Sequence, residues 1–121
     1  MKRVMCTILI VFLLFSAVTI LAYADAIVAG TVVGGNALII GNLVNFRQGP
    51  ATSYASYGYL FYGDTGALTH AYPSYPYPSW YRMRIINSSN AEHIGSYGWV
   101  NSAFVTATNV STPSSIPYPE A

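Results

Sequence analysis

Residues 80–85 read Trp-Tyr-Arg-Met-Arg-Ile, and they show the clearest alternation in the chain. Because successive side chains of a β-strand point to opposite faces, Tyr81, Met83 and Ile85 share one face of this segment. Trp80 and the two arginines share the other face. The first set is apolar, so we predict that it faces the core of a β-sheet protein.

The same alternation recurs upstream, where Val44 and Phe46 point one way and two polar side chains the other. Short β-prone runs separated by Gly, Asn, Pro and Ser fill residues 27–105, without a helical period. We therefore predict an all-β domain, a barrel or sandwich of five to six short strands. The strands are expected near residues 27–33, 43–47, 57–61, 67–71, 80–86 and 98–101.

Two segments do not fit a strand. Residues 72–79, here called the Tyr/Pro segment, contain three prolines that remove backbone donors, so we predict an extended loop. Residues 107–121 are rich in Ser, Thr, Asn and Pro, and we predict a disordered tail there. The folded domain is expected to span residues 27–106.

The amino terminus has the order of a secretory signal peptide. Two basic residues precede an apolar run of 18 residues at 4–21, and small-x-small patterns then end at Ala24 and at Ala26. We expect residues 1–24 to be a signal peptide and the domain to be secreted or held in the cell envelope. A retained membrane anchor is the alternative, because the run is close to the minimum for crossing a bilayer.

Composition excludes several functional classes. The chain has 121 residues, of which 53% are hydrophobic and 7% charged, with a formal net charge of +1. Without residues 1–24 it would hold three arginines, four carboxylates and no cysteine, which gives no electrostatic reason to bind nucleic acid. So few chemically active side chains predict a protein that is not an enzyme and has no cofactor and no metal.

Residues 45–54 read Asn-Phe-Arg-Gln-Gly-Pro-Ala-Thr-Ser-Tyr. This resembles the opening motif of bacterial SH3-like domains, which is Asn, apolar, Arg, any residue, Gly-Pro, small, Thr, Ser, Tyr. Further matching pieces follow in the family's order at 58–60 with Gly63, at 80–83 and at 98–105. The resemblance covers about residues 27–106 and implies a small SH3-like barrel of five to six short strands.

Three local features of this region predict geometry directly. Gly49-Pro50 predicts a sharp turn after a strand, because glycine tolerates positive φ and proline presets its own φ. Gly98 predicts a close approach of the backbone to another group. Phe104 and Val105 are expected to close one end of the barrel as apolar plugs.

The resemblance implies a binding module, since similar domains target cell-wall material or proteins, usually attached to a hydrolase. We therefore expect a non-catalytic, monomeric domain that recognises cell-wall peptidoglycan outside the cytoplasm. An adaptor or inhibitor that binds an envelope protein is the alternative. No nucleic-acid partner is expected, and a membrane is involved only if residues 1–24 stay as an anchor.

Tyrosine is in surplus, with 11 in the chain. Tyrosine rings stack on sugars and pack against peptides with little loss of side-chain entropy. Alternatively the rings fill the core and cover edge strands, or the Tyr/Pro segment is itself the ligand of another domain. We expect the loop after Gly49-Pro50 to face the Tyr/Pro segment. The candidate ligand-binding residues are Thr52, Tyr54, Tyr75, Tyr77 and Trp80.

The two histidines, His70 and His93, have no cysteine and few carboxylates near them in sequence. We expect them on the surface or on an edge strand, and not as metal ligands. Serine and aspartate are also present, for example Ser53 and Asp64, but no local signature frames a serine nucleophile. Nothing in these residues predicts catalysis.

Overall fold

The computed structural model describes residues 25–113, so the expected signal peptide and the end of the expected tail lie outside it. The prediction of an all-β domain is confirmed. In the described part of the chain, no helix is long and apolar enough to cross a membrane. The strands are β1 (Thr31–Val32), β2 (Gly34–Ile39), β3 (Val44–Arg47), β4 (Ser56–Leu60), β5 (Thr65–Tyr72), β6 (Trp80–Asn87), β7 (Tyr97–Asn101) and β8 (Val105–Ser111).

All eight strands belong to one antiparallel sheet, two or three more than predicted. The order is β4-β3-β7-β6-β5-β2-β8, and β1 lies beside β5. Within residues 25–113 the outer strands β4 and β8 do not pair with each other, so the sheet is not closed by hydrogen bonds. Both β1 and β2 pair with β5, and Val33 is the one residue between these two strands.

Strands β2 and β8 are the elements that the sequence analysis missed. They pair with each other from Ile39 opposite Val105 to Gly34 opposite Ser111. The expected strand at residues 27–33 is correct only at β1, because residues 27–30 are not in a strand. The predicted disorder is wrong for residues 107–111, whose β-branched side chains suit a strand.

The alternation at the start of β6 is confirmed, since Tyr81, Met83 and Ile85 are all buried. Val44 and Phe46 of β3 are buried as well. These side chains meet apolar residues of β2, β4, β5, β7 and β8 in one core. Burial of this continuous apolar surface is the main favourable term in the stability of the sheet.

Trp99 of β7 is fully buried outside this core cluster. Its Nε1 donates a hydrogen bond of 2.8 Å to the carbonyl oxygen of Ile27. The Ile27 N–H in turn donates to the carbonyl oxygen of Gln48, and the Tyr72 ring meets the indole edge to face at 6.3 Å between centroids. The N-terminal segment, residues 25–30, is thereby fixed across β7.

The predicted turn and close approach are confirmed. Residues 48–54 form turns and bends, and the Tyr54 ring lies directly over Gly49. Gly98 lies under the Phe46 ring, which leaves no room for a side chain there. The plug expectation is wrong for Phe104, which is 44% exposed, whereas Val105 is buried.

Candidate functional site

A cleft of about 740 Å³ opens between the N-terminal segment and the connection from β6 to β7. Its volume is within the range of small-molecule binding sites. Strands β4, β6 and β7 each contribute a side chain, so residues far apart in sequence meet there. The polar and aromatic lining residues are Asp25, Tyr57, Arg82, Glu92, His93, Ser96 and Tyr97.

One wall of the cleft is the N-terminal segment. Ala26 is buried, and the next residue, Ile27, makes the two hydrogen bonds described above, to Gln48 and to Trp99. Asp25 precedes this anchor, and its side chain is exposed at the cleft. The anchor at Ile27 therefore places Asp25 at the rim of the cleft.

The opposite wall is the connection between β6 and β7. A short 3-10 helix, Ala91–His93, begins after Asn90, whose side-chain oxygen accepts a hydrogen bond from the Glu92 N–H at 3.3 Å. Such a cap satisfies a backbone donor at the start of the turn. Gly95 then returns the chain to the sheet by donating to the carbonyl oxygen of Ile85 at 2.8 Å. The connection thus presents Glu92 and His93 to the cleft.

Arg82 of β6 carries the positive charge of the cleft. Its Nη1 donates to the hydroxyl of Thr69 at 3.0 Å, and its Cζ lies 4.7 Å from the centre of the Tyr97 ring. Its Nε is buried without a hydrogen-bond partner. Among residues 25–113 no ion pair joins Arg82 to a carboxylate, so the guanidinium is positioned by a hydroxyl and an aromatic face.

His93 is 4% exposed, which corrects the expectation of a surface histidine. Its ring lies 5.2 Å from the Phe46 ring between centroids, and its Nε2 is buried without a hydrogen-bond partner. Gly58 of β4 has φ +133°, and a Cβ there would stand 3.0 Å from this nitrogen. A glycine is therefore needed at position 58, both for its backbone conformation and for its size.

The Tyr57 hydroxyl interacts electrostatically with the Asp25 carboxylate and the Arg82 guanidinium. Burial raises the pKa of Tyr57 above its usual value, the Asp25 carboxylate raises it further, and Arg82 opposes this. The phenol is therefore protonated at neutral pH. A tyrosine ring with a protonated hydroxyl offers a ligand an apolar face and a polar edge.

His70 lies on β5, which is an interior strand, so the edge-strand expectation is wrong for it. Burial lowers the pKa of His70, and the Arg82 charge lowers it further. We expect an NMR titration of the imidazole, assigned with His70→Gln, to give a pKa below 6.5. A value at or above 6.5 would contradict the burial and the nearby positive charge.

The sign of the His70 contribution follows from linkage. The folded-state pKa of His70 is lower than its unfolded-state pKa of about 6.5. The contribution of neutral His70 to the free energy of unfolding is therefore fully present above about pH 6.5, and it is lost as the pH falls through the folded-state pKa. Urea midpoints of the wild type should therefore fall between about pH 7.5 and pH 5 more than those of His70→Gln.

The five residues predicted to bind a ligand do not line this cleft, and their roles stay predictions. Thr52 is exposed in the loop after Gly49-Pro50, and Tyr54 is partly covered by its contact with Gly49. Tyr77 is 91% exposed. Tyr75 packs against the core, where its proximity to Tyr81 helps burial to raise the pKa of Tyr81.

The strand register separates the two loops that were expected to face each other. Arg47, the last residue of β3, pairs with Trp99, whereas Trp80 at the start of β6 pairs with Asn101. Since β7 is antiparallel to both strands, the loop after Arg47 leaves toward the Tyr97 end and the Tyr/Pro segment lies at the Asn101 end. The two loops therefore leave from opposite ends of β7.

Sequence reasoning missed the cleft because its members are dispersed from residue 25 to residue 97. The only available signal was the alternation in β6, which placed Arg82 on the face away from the core. Within the described residues, no group of three or more His, Cys, Asp and Glu side chains is arranged to hold a metal ion.

Comparison with known proteins gives no match: no family model fits the sequence, and neither curated proteins nor solved structures show significant similarity to it.

Proposed function

We propose that this protein is a non-catalytic, SH3-like binding module that acts outside the cytoplasm and recognises cell-wall peptidoglycan through the cleft. The observation that carries the proposal is a cleft that combines two tyrosine rings with charges of both signs. Peptidoglycan offers sugar rings with apolar faces and peptides with carboxylates and amines. Tyr57 and Tyr97 suit the first, and Arg82 with Asp25 and Glu92 suits the second.

The positions of Asp64 and Ser53, two side chains that could take part in catalysis, support a role in binding without catalysis. The Asp64 carboxylate accepts hydrogen bonds from two backbone N–H groups and from the Ser88 hydroxyl. It therefore serves the fold and is not placed to orient a histidine. Ser53 is exposed in the loop after Gly49-Pro50.

The proposal is tested by co-sedimentation of the purified protein with isolated peptidoglycan sacculi across a salt series. We expect saturable pelleting, and we expect Tyr97→Ala to weaken it about tenfold, which corresponds to ~1.4 kcal/mol. Tyr97 is 43% exposed, so its removal should leave the fold intact. Tyr62→Ala is the matched control, because Tyr62 is exposed in the turn before β5 and does not line the cleft.

The same assay separates the cleft from the loop residues predicted from sequence. A combined Tyr54→Ala, Tyr75→Ala and Tyr77→Ala variant should pellet like the wild type if the cleft is the site. Loss of pelleting in this folded variant, with Tyr97→Ala unaffected, would move the site to the loops. No pelleting of the folded wild type would overturn the proposal.

A protein partner in the cell envelope is the second candidate, and the open sheet favours it. The edges of β4 and β8 are unpaired within residues 25–113, and exposed edges accept strands from other chains. A photo-crosslinker at Thr108 of β8 tests this in intact cells. A single crosslinked envelope protein would support the adaptor function. If no protein is crosslinked and the domain binds sacculi, the β8 edge is excluded as a binding site for a protein partner.

A further inference from the structure

Among residues 25–113, no carboxylate forms an ion pair with Arg82. Arg82 is half-buried, its Nε has no hydrogen-bond partner within the described part of the chain, and its Nη1 donates to a neutral hydroxyl, that of Thr69. Charged side chains that leave water are normally paired with an opposite charge. An unpaired guanidinium in a cleft of this size is suited to an anionic group supplied by a ligand.

The same cleft also holds two carboxylates. Asp25 lies on the N-terminal wall and Glu92 on the opposite wall, and both are exposed. The side chains of Asp25, Glu92 and Arg82 sum to a formal charge of −1, and cleavage after Ala24 would add the α-ammonium of Asp25 and bring the sum to zero. A multiply charged anion such as phosphate would be attracted by one group and repelled by two, whereas a ligand bearing both a carboxylate and an ammonium matches all three.

From these charges we infer that the cleft binds a short zwitterionic peptide, with the ligand carboxylate on Arg82 and the ligand ammonium beside Asp25 and Glu92. This inference rests on the proposed function and narrows it from peptidoglycan as a whole to its peptide part. The Tyr97 ring, already stacked against Arg82, limits the orientations of the guanidinium. Such pre-positioning reduces the entropy lost when a carboxylate binds.

Selectivity is expected to come from both ends of the ligand. The guanidinium donates hydrogen bonds that an amide carbonyl accepts less strongly than a carboxylate does. The two carboxylates of the cleft attract an ammonium and gain nothing from an acetylated amine. A loss of affinity when either charge of the ligand is removed therefore distinguishes a zwitterionic peptide from sugars and from simple anions.

The test uses the full chain and four probes: alanylalanine, N-acetyl-alanylalanine, alanylalanine amide and inorganic phosphate. Binding is followed by NMR chemical-shift changes of the cleft residues. We expect alanylalanine to bind about tenfold more tightly than either blocked form, and phosphate to bind more weakly still. Equal binding of the blocked forms, or tightest binding of phosphate, would overturn the inference.

Arg82→Gln should remove the preference for the free carboxylate over the amide while keeping the preference for the free amine. Arg84→Gln is the matched control, because Arg84 lies on the same strand and is exposed outside the cleft lining. If Arg82→Gln does not fold, Glu92→Gln at an exposed position provides the complementary test. It should reduce the preference for the free amine and leave the preference for the carboxylate.

Failure of this inference differs from failure of the proposed function. If pelleting with sacculi depends on Tyr97 but alanylalanine does not bind selectively, peptidoglycan is still the ligand. Its peptides are then excluded as the part that the cleft recognises. Selective binding of alanylalanine without pelleting would retain the zwitterion site and exclude the wall. Absence of both would overturn both.

Discussion

Replacement of Gly98 with alanine should destabilise the protein by about 3 kcal/mol, a value typical of severe overpacking in a core. A Cβ at position 98 would lie 2.5 Å from Cε1 and 2.6 Å from Cζ of Phe46. The Phe46 ring is fully buried and is itself held between Tyr57 and His93. It has no room to withdraw, so the clash must displace either β7 or β3.

Urea unfolding followed by tryptophan fluorescence measures this effect. Gly34→Ala is the control, because a Cβ there meets only the Ser111 hydroxyl, at 3.2 Å, and should change stability by less than about 1 kcal/mol. In the Gly98→Ala background, Phe46→Leu should recover part of the loss, since the smaller side chain relieves the clash. A Gly98→Ala protein as stable as the wild type would show that β3 and β7 do not pack as described.

What the sequence predicted correctly was local. Alternation in β6 and β3 identified their buried faces because side-chain direction in a strand follows from a period of two residues. Gly98 was identified as a point of close approach, although the sequence did not indicate that Phe46 is the group that approaches. Turn chemistry at Gly49-Pro50 was equally local.

What the sequence did not predict depends on partners that are distant along the chain. Strand β2 begins with Gly34-Gly35, which is typical of a turn, and β8 has the composition of a tail. β8 is a strand because β2 pairs with its backbone groups, and β2 is a strand because it lies between β5 and β8 and pairs with both. Composition describes a segment alone, so it could not report this mutual pairing.

The candidate site was still harder to predict, because its residues are distant from one another along the chain. Arg82 was placed on the outer face of its strand by alternation, but its neighbours in the cleft come from the N-terminal segment, β4 and the connection before β7. His93 reads as a polar residue in a loop, yet it is buried because Gly58 leaves space beside it. Only the fold brings these groups together.

The second large effect should come from Asp64, a buried carboxylate that joins two connections of the sheet. Its Oδ2 accepts from the Phe61 N–H and the Ser88 hydroxyl, each at 2.8 Å, and its Oδ1 accepts from the Ser89 N–H at 3.0 Å. The turn before β5 is thereby fixed to the connection that forms one wall of the cleft. Three donors depend on one side chain that is 4% exposed.

Asp64→Asn should therefore destabilise the protein by about 3 kcal/mol, because the amide keeps one acceptor oxygen and replaces the other with an NH2 donor. That donor would face either the Ser89 N–H, or the Phe61 N–H together with the Ser88 hydroxyl. Urea unfolding measures the loss, and hydrogen exchange should show faster exchange of the Phe61 and Ser89 amides. Ser88→Ala removes the bond to Asp64 and the bond that the Ser88 hydroxyl accepts from the Asn90 N–H at 3.0 Å, and it should cost about 2 kcal/mol. Glu92→Gln at an exposed carboxylate is the control and should be neutral. Because Asp64 holds the connection that carries Glu92 and His93, binding of alanylalanine should also weaken in the fraction of Asp64→Asn that remains folded. Unchanged stability and unchanged amide exchange in Asp64→Asn would mean that the two connections are held together by other contacts.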